Sequence, residues 1–456
     1  MDDQADPMHP PRPVRSADIS RALGEAKRSA LPPSYLAQFE AKTLSNRDPI
    51  ELIEEQNLSR VPELIPLRRE RMLLNPFAFY RGTAGLQAFD LAQQMDTILP
   101  VVICGDAHLG NFGLYSSPER TLVFDLNDFD EADTGAWEWD LYRLVTSVVI
   151  GAQQIGFEDE QIRFAARRTV QRYRTWLQKL MDADSIDRYY FRVDEDYIRE
   201  SLLHSSLEYF EGVVDKASRR TGNQAVDKLL VEDENGSYQF IEDPPILTPL
   251  PELTEQNLEQ VFNSYLDTVS PDIRMLLLPY QLTDMARRVV GVGSVGTRCF
   301  VLALTGPDGG RIILQIKQAQ QSVISQYSTE HPNTPRIIPR DASQGERVIS
   351  YQRILQAVSD PFLGHMEDSG RHYYVRQFRD KKASFRIETM TNTQFLNYIS
   401  GCAMMLARSH SQSPNAYAIS SYLGADDAVD RAVTEWSLEY AKQSRRDFDR
   451  YFERYG

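Results

Sequence analysis

Gly105-Asp106-Ala107-His108-Leu109-Gly110-Asn111 and, a short way on, Asp125-Leu126-Asn127-Asp128-Phe129-Asp130 are the stretches on which the reading of this chain turns. Each follows an apolar, β-branched run, LPVVIC before the first and RTLVF before the second. Each therefore predicts a loop at a strand end, where functional side chains usually sit. Two acidic loops from neighbouring strands can converge on one cation. Magnesium takes carboxylate and carbonyl oxygens together with phosphate oxygens, so Asn111 and Asp128 are suitable ligands beside a nucleotide. Asp106 is then left to accept, and to aim, the proton of an acceptor hydroxyl.

Far downstream, Gly291-Val292-Gly293-Ser294-Val295-Gly296 has the GxGxxG spelling, which dinucleotide folds, kinases and ordinary turns all share. A dinucleotide fingerprint must open a helix after its last glycine, whereas the run Thr297-Arg298-Cys299-Phe300-Val301-Leu302 predicts a strand. A glycine loop bridging two strands, with a lysine on the next, is how kinases cover ATP phosphates. Lys317, closing the apolar strand from Arg311, supplies that lysine; Gly291, Gly293, Ser294 and Gly296 supply the loop. A glycine-rich hairpin with an edge-strand lysine fits this segment equally well. Glu346, in the following helix, is the candidate to hold the lysine, with Asp341 and Ser350 close by in sequence.

These residues and spacings resemble the aminoglycoside and choline kinase-like branch of the protein-kinase-like superfamily, in which a GD-x4-N loop precedes a D-[FW] strand end, a glycine and a further aspartate. Asp106 with Asn111, Asp128-Phe129, Gly135 and Asp140 match that pattern. The resemblance implies that Asp106 is catalytic, that Asn111 and Asp128 bind Mg2+, and that Asp140 braces the catalytic loop. The strings PFAFYRG (76–82), GDAHLGNFG (105–113), NDFDEADTGAWEWDL (127–141), GVGSVGTRCF (291–300), LQIKQA (314–319) and SDPFLG (359–364) are similar to the bacterial DUF2252 family over most of the chain. That family's name records only an uncharacterised domain.

Two departures stand out. Cys104 occupies the place where related kinases often have histidine, and the glycine loop follows the catalytic loop instead of preceding it. The resemblance thus implies an α+β, two-lobed protein-kinase-like fold that is circularly permuted and carries additional helices. Its divisions would be a leader with N-terminal helices (1–70), a catalytic-loop part with a helical insertion (71–285), a β-rich glycine-loop part (286–380) and C-terminal helices (381–456).

Between the motifs, the residues up to Ser16 predict a disordered leader, Leu67 to Arg71 a solvated helix face, and Pro76 to Gly82 a short strand or turn. Arg81 there can hold a phosphate or, more commonly, a structural salt bridge. Leu141, Leu144, Val145, Val148 and Val149 recur at helical spacing, a pattern that continues to Met181. The 187–284 stretch is mixed, with a hairpin over Leu229 to Ile241 and no motif. Strands are expected at 288–290, 297–302 and 311–317, a helix at 342–359, a strand pair through 372–378, and helices from 393 to 455.

Other chemistries fit poorly. An EF-hand starting at Asp125 would put Phe129 and Asp130 where an oxygen ligand and a glycine are needed. Val292 breaks the GxSxG elbow of a serine hydrolase at Ser294. His108 has no second histidine at zinc spacing and reads as a loop histidine with one hydrogen bond. His410 reads as a helix-end or interface residue, Trp137 and Trp139 as core anchors at strand-like spacing, and Asp130, Glu131 and Asp133 as an acidic loop that extends the metal site or, more commonly, is solvated.

The formal charge of −15 over 456 residues gives no basic footprint for nucleic acid, and three scattered cysteines, Cys104, Cys299 and Cys402, suggest neither disulfides nor a thiolate zinc site. No apolar run approaches a membrane span, so a cytoplasmic protein is expected. The function expected is an ATP- and Mg2+-dependent phosphotransferase acting on a hydroxyl of a small-molecule or protein acceptor. An adenylyl transferase using the same cleft, or a nucleotide-binding pseudokinase that regulates a partner, uses the same residues. A chance coincidence of the two motif sets would instead leave the strands around 101–128 and 289–317 far apart.

Overall fold

The computed structural model describes residues 16–39, 44, 47–94, 96–201, 204–219, 222–232, 237–250, 255–289, 291, 293–328, 337–339, 341–378 and 383–456. The leader before Ser16 and the loop residues Val290 and Val292 fall outside them. The strands are β1 (Pro100–Ile103), β2 (Phe112–Ser116), β3 (Leu122–Leu126), β4 (Asp133–Ala136), β5 (Leu230–Glu232), β6 (Tyr238–Phe240), β7 (Leu247–Pro249), β8 (Gln281–Arg288), β9 (Cys299–Thr305), β10 (Arg311–Ala319), β11 (Gly364–Asp368), β12 (Arg371–Gln377) and β13 (Ala383–Ser384). With long helices packed around them, they make a mixed α+β chain.

Six strands form one antiparallel sheet in the order β11-β12-β10-β9-β8-β7. Alternate side chains of a strand point to opposite faces. Leu302, Leu304, Leu314 and Ile316 therefore share one face with Phe262, Tyr265, Ile273 and Leu277, while Val301, Ala303 and Ile313 share the other with Ala225, Val226, Leu230 and Phe240. The 187–284 stretch thus supplies the cover for both faces, including the expected β5–β6 hairpin. The parity of Ile313 continues to Gln315 and Lys317, which carries the lysine towards the acidic loops.

The other half is built on helix Trp137–Gln154, buried on nearly every side and wrapped by helices Asp159–Asp182, Asn392–Ser411 and Ala428–Tyr455. Its polar side chains Glu138, Asp140 and Arg143 are buried with hydrogen-bond partners, as burial on every side requires. Trp137 stacks on Tyr173 with ring centroids 6.0 Å apart. Both tryptophans lie in the helix's first turn, not in a strand. Beyond β12 the chain returns to this half, pairing β13 with β2 at Ala383 and Leu114.

Two local expectations are overturned. Pro76–Arg81 is a helix, because the Asn75 side chain accepts the Ala78 N–H at 2.8 Å and Pro76 occupies the first turn, where its missing N–H costs nothing. The face around Leu67 to Arg71 is not simply solvated: Arg68, in helix Ile65–Leu73, is fully buried and donates to Asn57 Oδ1 at 3.1 Å and Gly82 O at 2.9 Å. The three cysteines are free and buried. Among the described residues, no helix is long and apolar enough to cross a membrane.

Candidate functional site

The β1 strand ends at Ile103, and the next two N–H groups, of Cys104 and Gly105, donate to the Asp140 carboxylate at 2.7 and 2.8 Å. Asp140 is fully buried and also meets His410 Nε2 at 3.2 Å, while Tyr173 Oη lies 2.8 Å from His410 Nδ1. The loop carrying Asp106 is thereby tied to two helices of the core. His410 is in the last turn of its helix, as expected, but it is wholly internal.

Asp106 lies at the cleft floor with one oxygen, Oδ1, receiving Arg143 Nε at 2.8 Å. Arg143 is 2% exposed and also donates to Gln87 Oε1 and Tyr80 O. Asn111 ties the two acidic loops together: its amide nitrogen donates to Asp106 O and Asp128 O at 3.1 and 3.0 Å, and its Oδ1 accepts the Asp128 N–H at 2.7 Å. Among the described residues His108 forms no side-chain hydrogen bond, its Nε2 standing 3.7 Å from Asp106 Oδ2 and its Nδ1 buried without a partner there. Burial holds it neutral, with its pKa lowered to about 4 despite the nearby Asp106 charge.

Lys317, 1% exposed, reaches into this same site from the six-stranded sheet. Its ammonium lies 3.2 Å from Asp128 Oδ1 and 2.6 Å from Asp130 Oδ2, and Tyr374 Oη donates to Asp130 Oδ1 at 2.6 Å. Burial opposes the charge, but the two carboxylates prevail and raise the lysine well above its ordinary range. The partner assigned to it from sequence, Glu346, is not the one it has. Ser343 caps helix Gln344–Leu355 at the Glu346 N–H (3.0 Å), and it is the next residue, Arg347, that turns inward to the carbonyls of Asp130 and Gln320 at 2.9 and 2.8 Å. The acidic loop is not solvated either. Glu131 is half-buried, receives the Val323 N–H at 2.7 Å, and has its pKa raised to about 7 by desolvation. The two motif sets thus meet across 189 residues of chain, so the strands that carry them do not lie far apart.

The glycine loop joins β8 to β9 above the site, with Gly291 and Gly296 at φ 72° and 89°, a backbone region that side-chain-bearing residues avoid. It is fastened from below by the 60–82 segment: Val61 N–H donates to Gly296 O at 2.8 Å, Arg60 donates to Val295 O and Arg71 to Gly291 O. A Cβ on Gly293 would stand 3.1 Å from Arg81 O, so the loop lies directly on that segment.

Two clefts open on either side of Asp128, Gly291 and Ser294, which line both. One, of about 520 Å³, holds Asp106, Asn111, Arg60 and Arg81; the other, of about 630 Å³, holds Lys317, Gln315, Arg376 and Phe378. Arg81 makes no ion pair among the described residues, contrary to the salt bridge that sequence favoured. Among these residues no three His, Cys, Asp or Glu side chains gather into a ready metal cage. Magnesium does not need one, since it binds through one or two carboxylates plus phosphates and keeps its waters. The half-exposed Asp128 carboxylate beside the Asn111 amide oxygen fits that demand.

Sequence reasoning missed Arg143, Tyr374 and Arg347 as site residues and gave Asp130 a place in the site only as its second reading; only the shared string around Asp130 carried a signal for any of the four. No curated protein and no solved structure matches the chain at a significant level. Residues 60–454 match the family described as "Uncharacterized protein conserved in bacteria (DUF2252)". With the match spanning nearly all of the folded chain, the protein belongs to the DUF2252 family.

Proposed function

We propose that this protein binds ATP with Mg2+ in the double cleft and transfers a phosphoryl group to a hydroxyl, on a protein-kinase-like, two-lobed framework whose halves occur in reversed order along the chain. The observation that carries the reading is Lys317, a buried ammonium on β10, the second strand after the glycine loop, 3.2 Å from Asp128. Lys317 and the loop N–H groups neutralise and orient phosphates; Asp128 and Asn111 would hold magnesium, which when bound supplies further charge neutralisation. Asp106, fixed by Arg143 through Oδ1, turns its remaining oxygen to the cleft and orients the acceptor hydroxyl. The reducing cytoplasm suits three buried free thiols.

The Arg143 ion pair also favours a second reading, binding of nucleotide without turnover, because it occupies one of the two Asp106 oxygens. Calorimetric titration of ATP with and without magnesium tests the site. Binding should require magnesium and weaken in both Asp128→Ala and Lys317→Ala, with thermal unfolding to check that each variant folds. No binding under any condition would sink the proposal. Release of ADP, of pyrophosphate or of neither then separates phosphoryl transfer, adenylyl transfer and a silent sensor. Asp106→Ala should abolish turnover and leave binding intact.

A further inference from the structure

We propose that Arg60 and Arg81 form an oxyanion subsite on the acceptor side of the cleft, so that the acceptor is a small molecule carrying a phosphate or carboxylate beside its reactive hydroxyl. This rests on the phosphotransferase reading and narrows its substrate. Both guanidiniums line the cleft that contains Asp106, and neither lines the one that contains Lys317. The nucleotide's phosphates already have a cation there.

Each arginine has a buried Nε with no hydrogen-bond partner. Arg60 spends one terminal nitrogen on Val295 O, and the Arg81 guanidinium donates no hydrogen bond among the described residues. Neither forms an ion pair there, and four carboxylates of the cleft are engaged with other partners: Asp106 with Arg143, Asp128 with Lys317, Asp130 with Lys317 and Tyr374, Glu131 with the Val323 N–H. Removing water from a guanidinium without supplying a counter-charge is costly. Burial accordingly lowers both below the ordinary arginine range, Arg60 to about 9 with Arg68 adding repulsion. The buried, unpartnered Nδ1 of His108 faces the same neighbourhood, since a Cβ on Gly110 would stand 3.1 Å from both Arg81 Nε and His108 Cε1. A phosphate or carboxylate offsets the charge and matches the planar fork of donors.

The test is calorimetric titration of inorganic phosphate into the full chain saturated with magnesium and a non-hydrolysable ATP analogue. Phosphate should bind this complex, and Arg81→Gln should weaken it about tenfold while the analogue's affinity stays within about twofold. Arg60→Gln should do the same, and thermal unfolding shows which variants are folded. Competition between phosphate and analogue, with Arg81→Gln weakening the analogue, would assign the arginines to the nucleotide and overturn the proposal; so would no phosphate binding. If the analogue itself fails to bind, the phosphotransferase reading falls separately. Phosphate titrated into the free protein then decides the subsite: binding lost in Arg81→Gln upholds it, and no binding removes it.

Discussion

Asp140 never reaches the cleft, yet three donors end on it: the Cys104 and Gly105 N–H groups and His410 Nε2. A neutral imidazole protonated on Nε2 satisfies this contact while Nδ1 accepts from Tyr173. Asp140→Ala leaves all three donors buried and should cost about 3 kcal/mol of unfolding free energy, read from urea denaturation. An unchanged midpoint would refute the bracing role. Glu138 makes a pH prediction. Burial raises its pKa to about 8, while its oxygens accept from the Thr97 N–H and hydroxyl. Because the folded value lies above the unfolded one, its stabilising contribution is complete below the unfolded pKa of about 4.5 and declines as pH rises towards 8. Glu138→Gln keeps the acceptor and removes the titration, so the variant should gain on the wild type by a few kcal/mol between those limits. Asp106, Asn111 and Asp128 were legible as one cluster because they stand in polar loops at the ends of apolar strands. Asp130 was not, since an acidic run in sequence reads as solvated until Lys317 and Tyr374 are seen against it. Arg143 was hidden for a similar reason: its partner is chosen by tertiary proximity.

At the level of elements, helix Gln344–Leu355 lies so close to the sheet that a Cβ on Gly345 would stand 2.1 Å from Tyr373 O. Gly345→Ala must push the helix off β12 and should destabilise by about 2 kcal/mol or more, with a lower melting temperature. In the glycine loop, Gly291→Ala meets both a φ of 72° and the Ser294 hydroxyl, 2.7 Å from the added carbon. The strain, about 1–2 kcal/mol, is local, so nucleotide affinity should fall about tenfold at nearly unchanged melting temperature. Equal affinity would show that the loop does not close on phosphates. β9, β10 and their turn were legible because an alternating apolar run around Gly306 to Gly310 has few other solutions. Pro76–Arg81 was misread because its aromatic content matches a strand, while the residue that decides, Asn75, lies just outside the segment.

Across the whole molecule, the reversed order of the two motif sets could be read from sequence, but the role of 187–284 could not. Amphipathic helices without a motif do not say what they cover, and here they cover both faces of the six-stranded sheet. The last helices are equally structural, for Asn392–Ser411 and Ala428–Tyr455 enclose helix Trp137–Gln154. A chain cut after residue 391 would expose that apolar surface and strip Asp140 of His410. It should lose cooperative thermal unfolding, and retention of a sharp transition would count against an integrated core. The long separation of Lys317 from Asp128 has a consequence for synthesis. At about 5–20 residues per second, roughly 10–40 s pass on the ribosome between the two, during which the acidic loop is without its lysine counter-ion. The nascent chain therefore carries an unfinished, repulsive centre until its second half emerges, and no amino-terminal fragment that stops short of Lys317 can complete it.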